Sequence, residues 1–85
     1  MEKLFLINNL VYVHMQESAC CGVDYSIYDR NSNRLIDGGI IDWNDSHIMT
    51  LHDIAAIHGY APLTHIYEVF CFDDVLDELQ TANLH

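Results

Sequence analysis

The pattern of apolar and polar positions along the chain predicts β-strands in its first half. Residues 4–7 and 10–15 are rich in β-branched, aromatic and other apolar side chains, and they lie on either side of Asn8 and Asn9. Apolar runs bounded by turn-forming residues are typical of strands. The sequence therefore predicts either two short strands around the asparagines or one bent strand.

A β-hairpin is predicted over residues 23–43. Apolar and polar residues alternate in the stretch VDYSIYD, and this period of two is typical of a half-buried strand. The turn-forming run RNSN follows, and RLIDGGIIDW then predicts the return strand. Within that strand, Gly38 and Gly39 indicate a bulge or a bend.

The chain then changes to helical periodicity. Apolar residues recur at helical spacing within residues 50–58, and Gly59 provides a stop. Thr50 lies three residues before Asp53, which is a variant of the capping box that marks helix starts. We therefore expect a short amphipathic helix over residues 50–58.

A last strand and a second helix complete the predicted elements. The stretch LTHIYEVFCF, residues 63–72, carries apolar groups at both alternating sets of positions, so it predicts a central strand covered on both faces. A helix is expected to begin at Asp73 or Asp74 and to run to about Ala82.

Taken together, the elements predict a single acidic α+β domain over residues 1–85. Strands come first and are followed by helix, strand and helix, in an order of roughly β(β)ββαβα. This order favours a small antiparallel sheet of about three to five strands, with the two short helices packed on one face.

Charge separates this chain from an ordinary small domain. Thirteen acidic residues stand against three basic ones, for a formal net charge of −10, while 51% of the residues are hydrophobic. The hydrophobic content argues against a disordered acidic tail. The shortage of cations argues against direct binding to nucleic acid or to anionic membranes. Such self-repulsion is expected to serve either solubility or a strongly cationic partner.

The cysteines and the first residues favour a cytoplasmic protein. Three cysteines without a spaced framework do not predict a disulfide scaffold, so we expect reduced thiols. The N-terminal apolar run is interrupted by Asn8 and Asn9, which is not typical of a signal peptide. No apolar run approaches the roughly eighteen residues of a membrane-spanning helix.

Catalytic and metal-binding motifs are weak. Zinc-binding cysteines are normally separated by a few residues, whereas two of the cysteines here are adjacent. His52 and His58 would face different sides of one helix, and His47, His58 and His65 could meet only through tertiary folding. Nucleophile-elbow and phosphate-loop patterns do not occur. We therefore expect no enzyme, no catalytic residue, no cofactor and no metal.

The candidate binding residues are acidic. The stretch CFDDVLDELQ has four carboxylates within six positions and no basic residue. Carboxylates in a first helical turn stabilise the helix through its dipole, but like charges four residues apart destabilise it. The helix dipole therefore explains only part of the cluster. Together with the hairpin, the predicted partner-binding residues are Asp73, Asp74, Asp77, Glu78, Asp37, Asp42, Asp45 and Trp43.

Size and charge together predict a stoichiometric protein inhibitor of a nucleic-acid-processing effector. Carboxylates on a rigid face can substitute for phosphates and occupy a cationic nucleic-acid site. In size and charge alone, the chain is similar to the small acidic inhibitors by which phages and mobile elements block CRISPR effectors or restriction enzymes. We therefore predict an anti-CRISPR-like or antirestriction-like activity.

Three alternatives remain open at this stage. An immunity protein or antitoxin that neutralises a nuclease toxin would use the same charge complementarity. A small metal- or thiol-dependent enzyme would use Cys20, Cys21 and the histidines. An accessory domain would use its charge for solubility and would have no cationic partner. The sequence leaves open whether the protein is a monomer or a dimer.

Overall fold

The computed structural model of the protein describes residues 2–19 and 21–84. Five strands and two helices make up these residues. In chain order they are β1 (Glu2–Ile7), β2 (Val11–Glu17), β3 (Val23–Asp29), β4 (Leu35–Ile41), α1 (His47–Ile57), β5 (Ile66–Glu68) and α2 (Asp73–Ala82).

The strands form one sheet in the order β4-β3-β2-β1-β5, and every neighbouring pair is antiparallel. The predicted α+β class and element order are confirmed. Asn8 and Asn9 have φ values of 52° and 55° and turn the chain between β1 and β2. Asparagine tolerates this left-handed region better than most residues, so the two-strand interpretation is the correct one.

The two helices pack on opposite faces of the sheet, so the prediction that both share one face is wrong. Adjacent strand residues point to opposite faces. Phe5 of β1 belongs to the core that contains α1, whereas Leu4 packs with Leu79 of α2. Because β1 is apolar at both alternating sets of positions, each face of the sheet offers a surface to bury. The larger core, on the α1 face, contains Phe5, Ile7, Val11, Val13, Met15, Val23, Tyr25, Ile27, Leu51, Ile54 and Ala55.

The strand predicted to be central is a short edge strand. β5 pairs only with β1, over three residues. Tyr67 within it is 63% exposed, so apolar groups on both faces did not indicate burial on both faces. The tight turn after β1 makes β2 pair with one side of β1. Only the opposite side of β1 is then left for β5.

Helix α1 begins three residues earlier than predicted. The Ser46 hydroxyl oxygen accepts a hydrogen bond from the Met49 backbone N–H at 3.1 Å, which makes Ser46 the N-cap. The Thr50 hydroxyl donates to the Ser46 carbonyl at 2.8 Å, so Thr50 does not cap the helix. Helix α2 has the predicted bounds, and its N-cap position is Phe72.

The bulge in the hairpin lies at Ile36 and not at the two glycines. Leu35 and Asp37 pair with consecutive residues of β3, which leaves Ile36 as the extra residue. Gly39 meets a different requirement, because a Cβ atom there would lie 3.0 Å from the hydroxyl oxygen of Tyr25. Among the helices of the described residues, none is long and apolar enough to span a membrane.

Candidate protein-binding site

The structure divides the predicted binding residues between two surfaces. Four of them belong to α2, which packs on one face of the sheet. The others belong to β4 and to the segment that leads into α1, which packs on the opposite face. The sequence left open whether the acidic helix or the hairpin is the binding surface, and the structure shows that the two are separate acidic surfaces. The α2 surface carries Asp73, Asp74, Asp77 and Glu78, and the other carries Asp37, Asp42, Trp43 and Asp45.

Asp37 is exposed at the surface, and its carboxylate contacts other residues of the fold. One of its carboxylate oxygens lies 3.3 Å from Nδ1 of His58, and the other accepts the Gly38 backbone N–H at 2.8 Å. Nε2 of His58 in turn lies 2.7 Å from the Tyr25 hydroxyl. Burial and the charge of Asp37 raise the pKa of Tyr25 above its usual value. A tyrosine with a raised pKa is a poor nucleophile. The contacts from Asp37 to His58 and from His58 to Tyr25 instead connect the end of α1 to β4 and β3.

Trp43 is an exposed aromatic side chain on a firmly held segment. Its neighbour Asn44 donates its backbone N–H to the Thr50 hydroxyl at 3.0 Å and its side-chain amide to Asp53 at 2.9 Å. Both bonds fix the segment to α1. The indole also contacts the His47 ring edge-on, with ring centroids 4.9 Å apart. Trp43 nevertheless remains 45% exposed, so it is pre-organised for contact with a partner.

Two cavities flank this indole. We call the larger one the Trp43 groove. It has a volume of about 560 Å³ and is lined by Ile41, Asp42, Trp43, Asn44, Asp53, Ala56 and Ile57. The smaller has a volume of about 420 Å³ and is lined by Glu17, Gly22, Val23, Trp43 and His47. Trp43 therefore separates two concave surfaces, each of which has acidic lining.

The surroundings of His47 favour the uncharged form of its imidazole. Burial, and then the nearby positive charge of Lys3, lower the pKa of His47, while the charge of Glu68 partly opposes them. Its Nε2 atom is covered and has no hydrogen-bond partner within the described residues. Glu17 supplies the carboxylate in the lining of the smaller cavity.

The carboxylates beside Trp43 are not neutralised by basic side chains. Across residues 2–19 and 21–84, the Lys3–Glu68 contact of 2.9 Å is the one ion pair between a carboxylate and a lysine or arginine. Asp42 and Asp45 are both exposed. Their negative charge therefore remains available to a partner.

The cavity on the α2 surface has acidic residues in its lining but no aromatic one. Asp73 and Asp74 lie in the first turn of the helix, where they stabilise it. Asp77 and Glu78 are exposed and border a shallow cavity of about 410 Å³. That cavity is lined by Asn33, Asp77, Glu78, Thr81 and Ala82, none of which is aromatic.

The thiol and metal alternative receives no assembled site in the described part of the chain. Cys21 is exposed in the segment before β3, and Cys20 lies outside the described residues. No group of three or more His, Cys, Asp or Glu side chains within the described residues is arranged to hold a metal ion.

The α1 side of the Trp43 groove was not predicted from the sequence. Asp53 and Ile57 line it, and both lie outside the apolar stripe that drew attention to the helix. Their spacing of four residues could have identified them, because residues four apart share one side of a helix. Glu17 and His47 of the smaller cavity carry no comparable pattern, since only the tertiary fold brings them to Trp43.

The fold and this surface define a small acidic α+β domain with a pre-organised tryptophan between two cavities. The chain belongs to the family described as large polyvalent protein-associated domain 16, whose model matches residues 1–82. Comparisons with curated proteins and with solved structures found no match.

Proposed function

We propose that this domain is a stoichiometric protein inhibitor of a nucleic-acid-processing effector, of the anti-CRISPR or antirestriction kind. The surface that carries Asp37, Asp42, Trp43 and Asp45 is called the Trp43 surface here. The domain docks this surface against the lysines and arginines that line the effector's nucleic-acid site. The proposed action is binding and not catalysis, and it takes place in the cytoplasm, where such effectors meet their substrates.

The observation that carries the proposal is the position of Trp43. Tryptophan is enriched among the residues that dominate binding energy at protein interfaces, particularly next to pockets that exclude water. Here an exposed indole is held rigidly between two cavities and is flanked in sequence by Asp42 and Asn44, with Asp45 close behind. Aromatic contact at the centre and carboxylates around it fit a cationic protein surface.

The net charge supports the same proposal. A protein at −10 attracts a cationic channel over a distance and accelerates encounter with it. Nucleic acid relies on its phosphates for the same attraction. The domain would therefore compete with the effector's substrate for one positively charged surface.

The family description is compatible with this function. It names a domain associated with large polyvalent proteins. A compact inhibitory module of this kind could act beside other modules in such an assembly.

The test is a titration of a purified nucleic-acid-processing effector, either a CRISPR effector or a restriction enzyme, with the domain. We expect its activity to fall linearly with added domain and to vanish at about one domain per effector. Trp43→Ala should weaken inhibition by about 2 kcal/mol or more, as removal of a central aromatic anchor does. Tyr67→Ala, which truncates an exposed aromatic residue on β5, is the matched control and should inhibit normally.

Two results would contradict the proposal. Full effector activity in the presence of excess folded domain would exclude inhibition. Loss of activity at far less than one domain per effector would indicate an enzyme that modifies the effector.

A further inference from the structure

The Trp43 groove combines three kinds of surface. Asp42, Asp53 and Trp43 are among the residues that line it. Ile57 adds an aliphatic residue and is 63% exposed. No basic residue is among the lining residues. Apolar, aromatic and acidic residues around one groove together favour an occupant with an aliphatic stem and a cationic end.

Arginine fits this combination better than lysine does. Its planar guanidinium can stack on an indole and can also donate parallel hydrogen bonds to carboxylates. The aliphatic part of the side chain can lie along apolar surface while the charged end reaches polar groups. A lysine ammonium is a compact, strongly hydrated charge, and it cannot stack on the indole ring as a planar guanidinium does.

The groove retains hydrogen-bonding capacity for such a guest. One oxygen of Asp53 accepts the Asn44 amide at 2.9 Å, which fixes the carboxylate in place. Asp42 is exposed and has no ion pair among the residues that the structure describes. Each carboxylate can therefore accept bonds from a guanidinium without breaking the contacts that hold the groove together.

We infer that the Trp43 groove is an arginine-binding pocket. It receives one arginine side chain of the cationic partner between the indole and the exposed side of α1. This inference rests on the proposed function for the identity of the partner, but the pocket itself can be tested without any effector.

The test uses the fluorescence of Trp43, which is the only tryptophan in the chain. Because Trp43 also lines the smaller cavity, the Asp53→Asn variant described below assigns the signal to the groove. The probe is the blocked tripeptide acetyl-Gly-Arg-Gly-amide, titrated at constant chloride concentration. Two matched probes replace arginine by citrulline, which has the same shape without the charge, or by lysine.

We expect a saturable change in Trp43 emission with the arginine peptide and no saturable change with the citrulline peptide. The lysine peptide should bind severalfold more weakly than the arginine peptide. Asp53→Asn should weaken arginine binding about tenfold, because it removes a charge-assisted hydrogen bond. The asparagine oxygen can still accept the Asn44 amide, so the groove should keep its shape.

The control substitution is Asp24→Asn. Asp24 lies on β3 between two residues of the α1-side core, so its side chain points to the other face of the sheet. The change in net charge is identical to that of Asp53→Asn, and arginine binding should be unaltered.

Several results would overturn the inference. An absence of saturation, or equal responses to arginine and citrulline, would exclude guanidinium recognition. Equal affinity for lysine would show a general cation site. A concentration-dependent shift of Trp43 emission without peptide would show that a second copy of the chain covers the groove. Effector inhibition that persists despite any of these results would leave the proposed function standing. Arginine binding without effector inhibition would refute that function and leave the pocket established.

Discussion

At the scale of single residues, local environment sets the behaviour of His47. Its ring supports Trp43 edge-on, its Nε2 is covered, and burial together with the charge of Lys3 lowers its pKa. The folded protein therefore favours the neutral imidazole, while the unfolded chain binds a proton near pH 6.5. The His47 ring contacts the Trp43 indole. This difference in pKa between the folded and unfolded states therefore makes the support of Trp43 depend on pH.

The pH dependence of stability should reveal this residue. A lowered pKa contributes stability above the unfolded pKa, and that contribution is lost as the pH falls toward the folded pKa. As the pH falls through about 6.5, we expect the melting temperature of the wild-type protein to decrease relative to that of His47→Gln, because only the wild-type protein must protonate this buried imidazole. His52→Gln, which changes an exposed histidine of the same helix, is the control. Equal slopes for the wild-type protein and His47→Gln would contradict the account.

Residue patterns predicted some side chains of the site and not others. The sequence predicted Trp43 as a binding residue because exposed aromatic residues can anchor the centre of an interface. The structure shows that it is exposed, and its binding role stays a prediction. The role of Asn44 could not be predicted, since its bonds to Thr50 and Asp53 exist only once the segment folds onto α1. Asn8 is similar: its amide donates to the Tyr60 carbonyl at 2.9 Å, far away in sequence.

At the scale of elements, periodicity predicted the existence and type of each strand and helix better than their packing. The period of two in β3 and the apolar stripe of α2 both match the observed burial. The face on which each helix packs depends on β1, which is apolar on both sides and so is compatible with either arrangement. The edge position of β5 follows from the pairing of β2 with the other side of β1.

The acidic face of α2 leads to a prediction about this element. Asp73 and Asp77, and likewise Asp74 and Glu78, are four residues apart and repel each other. The double substitution Asp77→Lys and Glu78→Lys should therefore leave stability unchanged or raise it by a few tenths of a kcal/mol per pair. Urea unfolding measures this. A loss of more than about 1 kcal/mol would mean that these carboxylates support the fold.

At the scale of the whole molecule, charge is the dominant property. Only one of the described carboxylates is paired with a lysine or arginine, so most of the net charge of −10 is uncompensated within the fold. Uncompensated charge destabilises the compact state and also steers cationic partners. The structure therefore relates solubility, stability and the proposed binding to one physical cause.

Salt should stabilise this protein. Raising sodium chloride from about 0.1 M to 1 M shortens the Debye length from about 10 Å to about 3 Å and screens the self-repulsion. The melting temperature should rise over this range. The variant with Asp77→Lys and Glu78→Lys has a net charge of −6, because each substitution adds two positive units to −10. Its melting temperature should rise less. A flat or falling trend in the wild-type protein would contradict uncompensated repulsion.

The central claim is that the Trp43 surface, and not the sum of the charge, engages a cationic effector. The measurement that tests it most directly is the association rate with that effector over a salt series, for two charge-matched variants. One carries Asp42→Asn and Asp45→Asn, the other Asp77→Asn and Glu78→Gln, and each has a net charge of −8 after the loss of two charges from −10. Asparagine suits position 45, where φ is 59°.

Wild-type association should slow steeply with salt. The Asp42/Asp45 variant should associate about tenfold more slowly at low salt, while the α2 variant should stay close to wild type. Slow association of the α2 variant together with wild-type behaviour of the Asp42/Asp45 variant would contradict the account and would place the binding surface on α2.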